Sequence, residues 1–277
     1  MNRRLKKIRH VALDMDGTIY KGGTLFEATA PFLETLGALG IGYTFLTNNP
    51  SRSVADYLAH LRQFGLRASG DQLYTSTQAT IEFLREHWPA VRRLFLLGTP
   101  SMGGQFKSAG FHLLPDSPRD VPDAVVVGFD STLTYERLCR AAWWITQGKP
   151  YFATNPDRAC PTDQLTVLVD CGSICAALQA ATGRSPLAVM GKPDPAMIRG
   201  ILHRHLLAPE NLAMVGDRLY TDIMMAHHAG VLGVLVLTGE ATAAAAAAFS
   251  PAPDLIVSDL EELGERLLAA RREVVSA

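Results

Sequence analysis

Short apolar runs rich in Val, Leu and Ile recur along the chain, separated by longer stretches with helical spacing. This is the pattern of a parallel sheet joined by crossover helices. Four runs, His10-Val-Ala-Leu13, Gly42-Tyr-Thr-Phe-Leu46, Leu187-Ala-Val-Met190 and Leu212-Ala-Met-Val215, are predicted strands that hand over to Asp14, Thr47, Lys192 and Asp217. In a doubly wound sheet, ligands lie beyond the carboxyl ends of the strands, so these four endings are expected to converge on one crevice. A helix over Ala28–Leu39 joins the first two strands.

The long stretch between Thr47 and Lys192 carries a second such series. It has predicted strands at Leu94–Leu97, Ala124–Val127 and Tyr151–Thr154, and helices at Tyr135–Gln147 and Gly172–Ala181. That is too much structure for a loop. The expected division is a core built from residues 1–77 and 187–277, with an α/β domain inserted at 78–186. Past the strand Val234–Leu237, the alanine-rich run Glu240–Ala248 reads as a surface helix.

Composition narrows the function. Of 277 residues, 48% are hydrophobic and 19% charged, as in a folded globular protein. Lys plus Arg total 26 against Asp plus Glu 27, a balance that argues against broad nucleic-acid binding. No apolar stretch approaches the ~20 residues of a membrane-spanning helix, and the basic N-terminus lacks the apolar segment of a signal peptide, so a cytoplasmic protein is expected. Four cysteines in a chain this long are expected to be reduced thiols.

The chemistry lies at the strand ends. Asp14-Met-Asp16-Gly17-Thr18 sets two carboxylates two positions apart, and Asp217 and Asp222 add two more. At about 4 Å and an effective dielectric of about 20, two like charges repel by about 4 kcal/mol. Such a cluster calls for a cation, and oxygen ligands without imidazole or thiolate favour Mg²⁺. Each segment alone has an ordinary reading: a solvated turn at Asp14–Thr18, a helix cap at Thr47-Asn48-Asn49, a loop at Gly191-Lys192-Pro193. Their order and shared position at strand ends argue for one site.

These segments resemble the four motifs of the haloacid dehalogenase superfamily: Asp14 to Thr18, Thr47, Lys192 and Gly216 to Asp222. Leu46-Thr-Asn-Asn-Pro-Ser-Arg52, Ala153-Thr-Asn-Pro-Asp-Arg158, Gly191-Lys-Pro-Asp-Pro195 and Met214-Val-Gly-Asp-Arg-Leu-Tyr-Thr-Asp222 resemble its NagD-like, nitrophenylphosphatase branch. The resemblance runs from about Val11 to Gly239. It implies an α/β fold, a Rossmann-like doubly wound core with a type IIA cap as the insert.

It also implies roles. Asp14 is then the nucleophile that forms a phospho-aspartate and a Mg²⁺ ligand, and Asp16 the general acid and base, its backbone carbonyl reaching the metal. Asp217 is the direct carboxylate ligand and Asp222 supports it from behind. Thr47 and the Asn48 backbone hold the phosphate, and Lys192 offsets the charge of Asp14 and phosphate. A cap loop near Asn155, Asp157 and Arg158 is expected at the leaving-group pocket, with a plain polar turn as the competing reading.

The function implied is Mg²⁺-dependent hydrolysis of small phosphoesters, such as sugar phosphates, nucleoside monophosphates, pyridoxal phosphate or aryl phosphates. A homodimer through the cap is implied too. Two alternatives stand beside it: a phospho-accepting signalling module, and a phosphomutase of the same superfamily. The segment 164–170 and the alanine tract depart from the family pattern, away from the four motifs.

Other features carry ordinary expectations. Cys171 and Cys175 lack companions for a metal site. His203 and His205 are read as exposed helix surface, His227 and His228 as favourable at a helix C-terminus, and Trp143 and Trp144 as packing residues.

Overall fold

The computed structural model describes residues 1–160, 162 and 164–272. The chain packs as two compact units, one of residues 1–46, 60–74 and 192–277, the other of 47–59 and 75–191.

The first unit is built on a six-stranded sheet. Its spatial order is Leu255–Val257, Leu232–Val236, Leu212–Gly216, His10–Asp14, Gly42–Thr47, Leu73–Thr75. The strand His10–Asp14 lies between its two neighbours in parallel register, Leu13 opposite Val215 on one side and Asp14 opposite Leu46 on the other. Every residue of His10–Asp14, Leu212–Gly216 and Leu232–Val236 is buried, which is why these strands read as unbroken apolar runs rather than alternating ones. The register brings the Asp14 end level with Gly216, the residue before Asp217.

The second unit repeats the scheme with a parallel five-stranded sheet, ordered Ala188–Val189, Tyr151–Ala153, Ala124–Val127, Arg93–Leu97, His112–Leu113. The period of two sorts its side chains cleanly. Phe95, Leu97, Val125, Val127, Tyr151 and Ala153 face one cluster, which takes Trp144 and Ile145 from the helix Tyr135–Thr146 and Ile174 and Leu178 from the helix Cys171–Thr182. Leu94, Leu96, Ala124, Val126 and Phe152 face the other, against Ile81 and Leu84 of Ser76–His87 and Met102 and Phe106 of Pro100–Ser108. Helix starts follow local chemistry. Thr75 and Gln78 form a reciprocal capping box, and Thr99 caps Met102 ahead of Pro100 at the first helical position.

Four expectations need correction. The strand expected over Leu187–Met190 is short, Ala188–Val189, and pairs with Tyr151–Ala153 in the five-stranded sheet, so three of the four chemistry-bearing strands share a sheet and Lys192 follows a strand of the other. Two apolar residues carry no information about which sheet they join. The run from Glu240 is helical only over Ala243–Ala248, because Thr242 caps it with its hydroxyl on the Ala245 N–H and leaves Glu240 outside. His205 is not open surface: its ring lies 4.2 Å from that of His10, and its Nε2 is buried with no hydrogen-bond partner among the described residues. His203 is exposed as expected. Trp144 packs in the core, whereas Trp143 is half exposed. No helix among the described residues is long and apolar enough to cross a membrane.

Candidate active site

The first unit gathers an acidic cluster at its strand ends. Asp14 closes its strand, Asp217 follows Leu212–Gly216, and Asp222 sits in the wide helical turn Leu219–Ile223. All three are buried, and their carboxylates offer oxygens within 4.8 Å of one another. Lys192, buried as well, sets its Nζ 2.7 Å from Asp222 Oδ1 and also pairs with Asp14. Thr18 donates its hydroxyl to Asp14 Oδ2 at 3.2 Å.

The electrostatics follow from burial. Desolvation opposes charge on Lys192, but Asp14 and Asp222 outweigh it and hold the ammonium above its ordinary range. Burial, with Asp14 and Asp222 beside it, pushes Asp217 up to about 7. Burial also raises Asp222, to about 6, against the pull of Lys192. Carboxylates this reluctant to ionise are short of positive charge. Asp217 Oδ1, buried and without a hydrogen-bond partner among the described residues, is an oxygen ligand of the kind a hard divalent cation takes. The residues present therefore fit such an ion.

Asp217 is held closely by its surroundings. Its Oδ2 accepts the Glu240 N–H at 2.7 Å, and its carbonyl accepts the Ala241 N–H at 3.1 Å. Gly17, at φ +87°, and Gly239 press against this carboxylate so closely that a Cβ on either would collide with it. Asp16, two residues past Asp14, has an exposed side chain outside the carboxylate cluster. Partial desolvation and the charge of Asp14 raise its pKa.

The second unit organises the Thr47–Asn49 segment. Asn48 O accepts the Ser76 hydroxyl at 2.6 Å and the Asn155 amide at 3.2 Å, while Asn48 Nδ2 donates to Asp157 Oδ2 at 3.0 Å. Asn155 Oδ1 in turn accepts the Asp157 N–H at 2.9 Å. Thr47 Oγ1 accepts the Asn49 N–H, and Tyr57 donates its hydroxyl to Asn49 O at 2.9 Å. Asn155 is fully buried, so its amide supports the Asn48 segment; Arg158 is exposed, with its carbonyl accepting the Ser173 hydroxyl.

The structure thus brings Asp14, Asp217, Asp222 and Lys192 together in one unit and Asn48, Asn155 and Asp157 together in the other. Sequence reasoning did not find Ser76, Arg218 or Glu240. Thr242 before six alanines was a legible cap signal that would have released Glu240 from the helix. Nothing local signals that Ser76 reaches back to Asn48.

Comparison with known proteins adds family and relatives. The family model for haloacid dehalogenase-like hydrolases matches residues 11–112, and a HAD-hydrolase-like model matches 189–263. Ribonucleotide monophosphatase NagD of Escherichia coli K12 is 31% identical over 232 residues, 84% of this chain and 88% of that protein. The crystal structure of 4-nitrophenylphosphatase from Thermotoga maritima superposes with a TM-score of 0.89 at 40% identity, covering 95% of this chain and 98% of that one. Glycerol phosphate phosphatase from Mycobacterium tuberculosis, solved in complex with magnesium, gives 0.86 at 32% identity, covering 94% and 78%.

Proposed function

This chain belongs to the haloacid dehalogenase-like hydrolases, in their NagD-like branch, and is a phosphoric monoester hydrolase; from that premise we propose that it cleaves small phosphorylated metabolites through a phospho-aspartate on Asp14. The observation that carries the reading is the buried cluster of Asp14, Asp217 and Asp222 with Lys192 paired to Asp14.

In the first step a carboxylate oxygen of Asp14 bonds to phosphorus as the bond from phosphorus to the ester oxygen breaks. Asp16 gives its proton to the departing oxygen. Its raised pKa supports the protonated form this requires. In the second step Asp16 takes a proton from water as that water bonds to phosphorus, and the bond to Asp14 breaks, releasing phosphate. Lys192, paired with Asp14, orients that carboxylate and offsets the combined negative charge of Asp14 and the incoming phosphate dianion. Thr47 and the Asn48 backbone bind phosphoryl oxygens, and Asn155, through Asn48 O, keeps that segment in shape. Asp157 and Arg158 lie on the loop proposed to choose the leaving group.

Asp14, the Asp16 carbonyl and Asp217 are the proposed Mg²⁺ ligands, with Asp222 and Lys192 behind them; the ion supplies charge neutralisation for phosphoryl transfer. Residues 78–186 are proposed as an inserted cap domain of type IIA, and 1–77 with 187–277 as the catalytic core. A homodimer through that cap and a cytoplasmic location complete the proposal, on the strength of the family resemblance.

The test is phosphate release from a panel of sugar phosphates, nucleoside monophosphates, pyridoxal phosphate and an aryl phosphate, with Mg²⁺ and then with excess chelator. Mg²⁺-dependent release is expected. Release of an isomerised phosphoester in place of phosphate would instead identify a mutase.

A further inference from the structure

The mechanism leaves unused a tight group of side chains beside Asp217. Glu240 sits just outside the alanine helix, and its own N–H is the donor on Asp217 Oδ2. Its carboxylate reaches back to the segment that carries Asp217: Oε2 lies 3.1 Å from Arg218 Nε and accepts the Tyr220 hydroxyl at 3.0 Å. Nearby, Thr238 donates its hydroxyl to Gly17 O at 2.6 Å, and the Ala241 N–H bonds the Asp217 carbonyl. The turn 238–241 is thereby stitched both to the Asp14–Thr18 loop and to the segment 217–220.

The consequence is a division of labour between the two oxygens of Asp217. Oδ2 is taken by a backbone N–H, while Oδ1 is buried without a partner among the described residues. A carboxylate with one oxygen fixed and the other bare is oriented for a cation, whereas one free to rotate would share its lone pairs between the N–H and the ion. The Glu240 side chain adds to the ties that hold that N–H in place, because with Thr238 and Ala241 it fastens the turn that carries it.

We propose that Glu240 is a positioning residue for divalent-cation binding, holding Asp217 Oδ2 through its backbone N–H and anchored for this by Arg218 and Tyr220. This rests on the proposed function, which makes Asp217 a metal ligand. Arg218 lies within electrostatic reach of Asp14, Asp217 and Asp222, and its Nε pairs with Glu240 Oε2 at 3.1 Å.

Three variants and two readouts test it. The full chain, stripped with chelator, is titrated with Mg²⁺ by calorimetry, and KM for an aryl phosphate is measured separately at saturating Mg²⁺. Glu240→Ala is expected to raise the Mg²⁺ dissociation constant by roughly ten-fold with KM unchanged. Glu240→Gln keeps an acceptor of the same reach and is expected to stay within a few-fold of wild type. Tyr220→Phe removes one anchor and is expected to fall between them. Wild-type Mg²⁺ affinity in Glu240→Ala overturns the role of Glu240; if that variant does not fold, wild-type affinity in Tyr220→Phe overturns it equally. A wild-type protein that neither binds Mg²⁺ nor releases phosphate would instead overturn the reading of the site itself.

Discussion

Lys192 Nζ lies 2.7 Å from Asp222 Oδ1 and pairs at the same time with Asp14, so one buried ammonium ties the proposed nucleophile to an acid 208 positions further along the chain. Replacing it with Met keeps the volume and removes the charge. Lys192→Met is expected to lower kcat by roughly 10²-fold or more, the scale seen when one preorganised electrostatic contact is lost. It should also destabilise the fold, since it leaves two buried carboxylates without their partner. Steady-state kinetics and a melting curve measure the two effects.

Asp14 and Asp16 should separate in their behaviour. Asp14→Asn has no nucleophile to receive the phosphoryl group and is expected to show no turnover. Asp16→Asn retains its backbone carbonyl and is expected to bind Mg²⁺ while losing roughly 10²- to 10⁴-fold in rate, the range for a positioned general acid and base. Wild-type rates in Asp14→Asn would exclude the phospho-aspartate route.

Removal of the cation should be visible in stability as well as in rate. A ligand that binds the folded state alone stabilises it by about 2.7 kcal/mol at a hundred times its dissociation constant. Melting temperature is therefore expected to rise with Mg²⁺ and to return on adding chelator. In Asp217→Asn the rise should largely vanish, because a neutral amide is a poor ligand for a hard cation.

The base of the first sheet makes a pH prediction. His10 is buried against His205, and burial first, then the charge of His205, lowers its pKa from 6.5 to about 4. The fold prefers neutral His10, so between those values the unfolded chain takes up a proton that the folded chain refuses. This contribution is complete above pH 6.5 and is lost as pH falls toward 4, about 3 kcal/mol at its limit. Chemical denaturation of wild type and His10→Gln across pH 7 to 4 should show a shallower fall in the variant.

Asn155 offers a test of the second unit. Its wholly buried amide donates to Asn48 O, a carbonyl that Ser76 also serves. Asn155→Ala is expected to cost about 1 to 3 kcal/mol of stability, the range for a buried hydrogen bond left half made. It should also weaken phosphate binding, because the Asn48 segment loses one of its supports. Inhibition by inorganic phosphate, measured in both proteins, reads this directly.

Much of the molecule was present in the order of its residues. Runs such as His10–Leu13 and Ala124–Val127 identify buried parallel strands, because a strand covered on both faces has no polar side to interrupt it. Asp14, directly after His10–Leu13, and Asp217, directly after Leu212–Gly216, meet in one carboxylate cluster because a parallel sheet presents its carboxyl ends together. The acids, the Thr and the Lys were legible as residue types suited to phosphoryl transfer.

The tertiary structure decided the rest, wherever a contact joins residues far apart in sequence. Ala188–Val189 could not declare its sheet, since pairing depends on which neighbour has an open edge. Glu240 read as part of an alanine helix until Thr242 capped that helix and turned Glu240 toward Asp217. Asn155 and Asp157 are both bonded to Asn48, more than 100 positions earlier, a pairing that no local pattern declares. A linear pattern specifies each element through its own periodicity and caps, whereas which side chain satisfies which buried polar atom is set only when the elements pack.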